Sequence, residues 1–157
     1  MKWCLRLVLS SIFFLTIRCF QAPSPESLSY FSFQGQTFRA RPCRIYDGDT
    51  FTAIFQYRGE WIKWRCRCLD YDSPEIRPRL TMSDRQQEIE LAILARNRLE
   101  QLLTRTDSVQ IECGGFDKYG RILVTVYSYY PNNKNDRTTE KSMNTIMLEE
   151  GHGVPFP

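Results

Sequence analysis

The sequence predicts an α+β fold that is mainly β: a five-stranded barrel with one helix after the third strand and a short C-terminal helix. Three observations predict it. Short strand-like stretches recur between turn signals at 37–55, 61–69, 109–113 and 121–129, the last three with apolar–polar alternation. One stretch, 84–103, carries helical spacing instead. A length of 157 residues suits one domain that buries a core without needing a metal or disulfides to fold.

Taken in order, the chain opens with Lys2 and Arg6 before an apolar run over 7–17. A short basic region followed by about eleven apolar residues has the pattern of a secretory signal. That run is too short to span a bilayer core, and extending it to Phe20 takes in Arg18. No small-x-small cleavage site stands out, so an uncleaved signal anchor is the alternative. Residues 1–22 are therefore expected to be a signal peptide or signal anchor. The chain is then secreted or extracytoplasmic, or else tethered to a membrane. Residues 23–35, with Pro23, Ser24, Pro25 and Ser27, have a linker's composition. The folded domain is expected at 36–157.

The stretch 37–55 predicts two strands with a turn at Asp47-Gly48. A second turn follows at 57–60. In 61–69, Trp61, Lys63, Arg65 and Arg67 alternate with Ile62, Trp64, Cys66 and Cys68, giving a strand with one basic and one apolar face. Pro74 cannot donate to a ladder, so the chain leaves the sheet there, and 76–82 is a loop. Ser83 and Gln86 fit a capping box for a helix over 84–103, whose inner side holds Ala92, Ala95, Leu99 and Leu102 or Leu103. A strand at 109–113, a turn at Gly114-Gly115 and a strand over 121–129 follow. A polar loop at 131–136 leads to a short helix over 144–150, capped by Gly151. Five strands with a helix after the third match the OB-fold plan, which fixes no function by itself.

Composition narrows the chemistry only slightly. The chain is 42% hydrophobic, 25% charged and 13% aromatic, with a net charge of +3. That charge is compatible with a polyanionic partner. With no C-x-x-C and a single histidine, His152, a zinc site is not indicated, and His152 fits an exposed end residue. Of the six cysteines, Cys43, Cys66, Cys68 and Cys113 fall in the domain. They fit either buried small hydrophobes or a disulfide from Cys113 to Cys66 or Cys68.

Three segments carry chemistry: 46–50 on the first hairpin, 67–75 at the end of the third strand, and 117–121 at the start of the fifth. Phosphodiester hydrolysis calls for a hard cation held by oxygens, a carboxylate to take a proton from water, and guanidinium groups on the phosphate. Asp49, Asp72 and Glu75 supply carboxylates, and Arg67 and Arg121 supply guanidiniums. Arg67 and Asp72, five apart, share a site only if the strand bends near Leu69 or Asp70. Taken singly, each segment is an ordinary turn or loop. Their order and placement give them weight.

Asp47-Gly48-Asp49-Thr50, then Arg67-x4-Asp72-x-Pro74-Glu75, then Asp117-x-x-Gly120-Arg121, then Asn144-x2-Met147-x3-Gly151 resembles the staphylococcal nuclease family over about residues 37–153. The resemblance implies a calcium-dependent nuclease acting on DNA and RNA, with no protein partner and a monomeric state. It implies Asp49 and Asp72 as calcium carboxylates and Ser73 as a backbone-carbonyl ligand. Glu75 becomes the general base, Arg67 and Arg121 the phosphate-binding pair, and Lys118 and Tyr119 flank the nucleotide. The family's base-bracketing tyrosines after the closing glycine have no counterpart here, where Phe156 is the nearby ring. A nucleic-acid-binding OB module without catalysis is the alternative.

Overall fold

Burial alternates along 61–68, 109–113 and 122–127, as half-buried strands require. The computed structural model describes residues 22–130 and 141–156. The apolar N-terminal run and the 131–136 loop lie outside the described residues. The chain divides into two units, Met1–Phe31 and Ser32–Pro157. The described part of the first holds a single 3-10 turn, Pro25–Ser27, with no buried residue. Among the described residues no helix is long and apolar enough to cross a membrane.

The second unit forms strands β1 (Thr37–Ile45), β2 (Thr50–Tyr57) and β3 (Glu60–Cys68), a two-residue β4 (Tyr71–Asp72), helix α1 (Arg85–Leu103), strands β5 (Val109–Phe116) and β6 (Ile122–Ser128), helix α2 (Met143–Glu149) and a two-residue β7 (Val154–Pro155). The barrel closes in the order β1-β2-β3-β6-β5. β5 returns to pair with β1, and β3 runs parallel to β6. This is the OB-fold, with α1 after the third barrel strand. Inside it, Phe51, Ala53 and Phe55 of β2 are buried, and so are Cys66 and Cys68 of β3. The inner side of α1 contributes Ala92, Ala95, Leu99, Leu102 and Leu103, as its spacing predicts.

Packing reaches back before β1 to Phe33, which is 1% exposed. Its ring meets Phe38, Phe55, Tyr57, Trp64 and Phe116 edge-on, with centroids between 5.2 and 5.8 Å apart. Such edge-to-face pairs each add to simple area burial. Residues 32–35 therefore belong to the packed unit.

Two local expectations are corrected. The capping box does not form: α1 is capped by Asp84, with no side-chain cap bond. Gln86 instead donates to Glu90 at 3.0 Å, within the helix. The Gly114-Gly115 turn is not a turn either. β5 continues through it to Phe116, with a one-residue bulge between Cys113 and Phe116. The reversal falls on Asp117–Arg121, where the Asp117 Oδ1 accepts the N–H groups of Tyr119 and Arg121 at 2.9 and 2.8 Å. Gly120, at φ +74°, closes the turn.

The four cysteines of the domain are free thiols, so the disulfide is not formed. Burial pushes the Cys68 and Cys113 thiols up to about 12 and raises Cys66 as well. Thiols held protonated in this way act as small apolar groups.

Candidate active site

The hairpin loop between β1 and β2 is shaped by its own side chains. The Asp47 Oδ1 accepts the N–H groups of Asp49 and Thr50 at 3.1 and 2.7 Å. Gly48 is required by crowding rather than by a positive φ. A Cβ there would lie 2.7 Å from both the Ala95 Cβ of α1 and the Ser73 Cβ. The buried Tyr71 ties the loop from behind, its hydroxyl donating to the Gly48 carbonyl at 2.7 Å. The chain bends at Asp70, which adopts φ +71°, and this brings Asp72 back toward Arg67.

Arg67 stands between two carboxylates. Its NH1 is 2.9 Å from the Asp49 Oδ2, and its NH2 is 2.7 Å from the Asp72 Oδ1. The Ser73 N–H also donates to the Asp49 Oδ2, at 3.2 Å. The other Asp49 oxygen accepts from the Thr50 hydroxyl at 2.7 Å, and that hydroxyl accepts from the Arg121 NH1 at 2.8 Å. Two guanidiniums, one on β3 and one at the turn before β6, therefore meet within one hydrogen-bond chain centred on Asp49. Arg121 is held by Asp117, whose Oδ2 lies 2.6 Å from the Arg121 Nε.

Asp49 is 3% exposed. Burial, then the nearby Asp47, pushes its carboxyl up to about 6, against the pull of Thr50, Arg67 and the Ser73 N–H. Partial burial pushes Asp117 up too, but there the backbone and guanidinium of Arg121 prevail and hold it below its ordinary value.

Asp49, Arg67, Ser73, Glu75, Tyr119 and Arg121 line one cleft of about 480 Å³. Asp72 reaches it only through Arg67. Lys118 lines an adjoining cleft of about 470 Å³, which shares Arg67, Glu75, Tyr119 and Arg121 with the first. The Tyr119 ring, 63% exposed, lies beside Lys118 and Arg121 at 5.1 and 5.6 Å. Glu75 is exposed, and its backbone N–H is pinned by Glu88 of α1 at 2.9 Å. Its own carboxylate has no partner among the described residues. His152 lies outside both clefts, 3.8 Å from Glu150.

Sequence reasoning gives no role to Tyr71, Asp117, Tyr46, Arg65 or Phe156. Tyr46 and Arg65 form cleft wall, and the Phe156 ring sits 5.5 Å from the Arg67 guanidinium. Phe156 arrives there because β7 pairs with β4 and the Phe156 N–H donates to the Asp70 carbonyl at 3.0 Å. A two-residue ladder has no periodicity to detect. Asp117 lies inside a recognised motif, and its four-residue spacing from Arg121 is the available signal.

A family model, described as staphylococcal nuclease homologue, matches residues 65–154. The chain belongs to that family. The match begins within β3 and runs through Val154, including both arginines, Asp72 and Glu75, while Asp49 lies ahead of it. Comparison with individual curated proteins found no match. At the coarse level, a staphylococcal nuclease homologue with this barrel is a nuclease or a nucleic-acid-binding OB module.

Donor chemistry at the cleft fits a hard divalent cation. Every side-chain acceptor there is an oxygen, and Asp49 and Asp72 are close enough to share one guanidinium. Among the described residues no three His, Cys, Asp or Glu side chains converge into a ready-made cluster. Two carboxylates would thus be completed by carbonyl and water oxygens, as such cations accept.

Proposed function

We propose that this protein is a calcium-dependent nuclease that hydrolyses phosphodiester bonds in DNA and RNA. The observation that carries the reading is the meeting of Arg67 and Arg121 at the Asp49–Thr50 pair, with the free Glu75 carboxylate on the same cleft. A phosphate entering the cleft would find two planar donors from different directions, and charge building on its oxygens is stabilised by that arrangement.

Asp49, Asp72 and the Ser73 carbonyl would hold the cation. When bound, it supplies charge neutralisation and polarisation of the phosphoryl group. Glu75 takes the proton of the attacking water, for which an exposed, unpaired carboxylate on the cleft wall is suited. Arg67 and Arg121 orient the phosphoryl oxygens. Lys118 and Tyr119 contact the nucleotide from the adjoining cleft, where the exposed ring offers a stacking face. The substrates are the partners; the reading needs no protein partner and takes the protein as a monomer. An N-terminal secretory signal or signal anchor at 1–22, followed by a short linker that ends before Ser32, would place the enzyme outside the cytoplasm, secreted or membrane-tethered.

The test is cleavage of single-stranded DNA in calcium and in chelator. Calcium-dependent cleavage that disappears in Glu75→Gln is the expected outcome. A folded wild-type protein that binds the strand without cutting it would establish the non-catalytic module instead.

A further inference from the structure

Outside the cleft, the most distinctive surface is the outward face of β1, β2 and β3. These strands contain six basic residues, Arg39, Arg41, Arg44, Lys63, Arg65 and Arg67, and one acid, Glu60, at the very start of β3. Pairing places the cations in rows across the sheet. Thr50 is opposite Arg67, inside the cleft. Thr52 lies between Arg44 and Arg65, and Ile54 lies between Arg41 and Lys63. Gln56 is opposite Trp61, whose indole is 71% exposed.

The alignment depends on a bulge. Arg41 and Arg44 are three apart, so a regular strand would point them to opposite faces. The register shifts between Pro42 and Arg44, with Cys43 as the extra residue, which restores Arg44 to the outward face. Rows two residues apart along a strand are about 6.5 Å apart. Among the described residues no carboxylate pairs with Arg41, Arg44, Lys63 or Arg65. Arg65 is itself part of the cleft wall, so the rows continue directly from the site. At the far end Arg39, Arg41, Gln56 and Trp61 line a groove of about 790 Å³, which Asp107 and Ser108 border.

We propose that this face is a binding track for single-stranded nucleic acid, leading from the cleft past Arg65, Lys63 and Arg41 to Trp61. Evenly spaced, unpaired cations follow a phosphate backbone, and an exposed indole stacks on a base that is not already paired. The cations make the occupant a polyanion, and the indole selects single strand over duplex. The track rests on the nuclease reading in that it begins at the cleft, but its binding is measurable without catalysis.

The full chain is titrated with a fluorescent twenty-nucleotide oligothymidine in chelator, over a range of salt. Arg41→Gln/Lys63→Gln should lower the slope of log affinity against log salt by about 1.4, at about 0.7 for each phosphate no longer neutralised. Trp61→Ala should weaken binding at least about fivefold. Arg96→Gln/Arg105→Gln on and just after α1 removes the same charge away from the track and should leave the slope unchanged. Equal losses in that control, or unchanged binding in both track variants, would overturn the track. A Trp61→Ala loss as large for duplex as for single strand would overturn the single-strand assignment. If the wild type never cleaves in calcium yet binding follows the track variants, the nuclease reading fails and the track stands. If it cleaves with binding blind to them, the reverse holds.

Discussion

Arg67 and Arg121 look equivalent in the sequence and are not equivalent in the structure. Arg121 is anchored by Asp117 and reaches Asp49 only through Thr50. Arg67 touches Asp49 directly and is the nearest positive charge opposing its raised pKa. Each arginine cut to Ala should lower turnover by about 10²–10³ fold, the typical loss for one preorganised donor to the transition state. Their pH profiles should differ. Asp49 ionises near 6 in the metal-free folded chain against an ordinary 3.8, so it takes up a proton, and cation affinity and activity at subsaturating calcium fall, as pH drops through about 6. In Arg67→Ala that limb should move to higher pH, whereas in Arg121→Ala it should stay in place. Calcium-dependent activity measured from pH 5 to 8 checks this. Stability runs the other way. Between about 6 and 3.8 the folded state holds a proton that the unfolded state has released, so this group's contribution to stability grows as pH falls. Metal-free urea midpoints of the wild type should therefore rise relative to Asp49→Asn over that window.

At the scale of elements, the site depends on how segments are tied together, and here the sequence is only partly legible. Strand alternation and helical spacing are clear because each repeats several times. The bend that joins Arg67 to Asp72 is deducible from their five-residue separation, and Asp70 at φ +71° supplies it. One of the ties that hold that bend is hidden, because it is a single amide far away in sequence. The Asn144 Nδ2 donates to the Leu69 and Val124 carbonyls, both at 3.0 Å, and its Oδ1 accepts the Val126 N–H at 3.0 Å. The residue stands in the motif without a mechanism, since pattern alone does not show which backbone groups its amide meets. Gly48 reads as a turn glycine in sequence, while the structure shows that Ala95 and Ser73 leave no room for a Cβ. The capping box and the Gly114-Gly115 turn fail for the opposite reason: local signals are overridden by Gln86 bonding along the helix and by ladder pairing through the bulge. Asn144→Leu should cost at least about 2 kcal/mol, because it strands buried backbone groups that no side chain replaces. Urea unfolding measures that cost, and Asn144→Leu should also raise the KM for calcium, since Leu69 no longer holds the approach to Asp72.

For the whole molecule, the extent of the folded unit decides what a functional fragment must contain. Composition places the start of the domain near Gln36, because 23–35 has the proline and serine content of a linker. Phe33 shows why composition misleads there. One ring, buried to 1% exposure, fills the space between Phe38, Phe55, Tyr57, Trp64 and Phe116. Behind it, the Gly35 N–H donates to the Cys113 carbonyl at 2.8 Å and the Cys113 N–H to the Gln36 carbonyl at 2.8 Å, which ties the segment to β5. A residue in such a position is invisible to periodicity, since it belongs to no strand or helix. A chain beginning at Ser32 keeps that ring and should therefore fold. One beginning at Gln36, or the full chain with Phe33→Ala, should lose about 3–5 kcal/mol, the cost of emptying a site of phenylalanine size. Along β2 this ring packs on Phe55 and Tyr57, whereas the cleft is at Thr50 at the other end of the strand. Phe33→Ala should accordingly lower stability while leaving kcat of the molecules that remain folded nearly unchanged. A proportionate fall in kcat at temperatures well below the unfolding transition would show instead that the packing at Phe33 and the cleft geometry are coupled through β2.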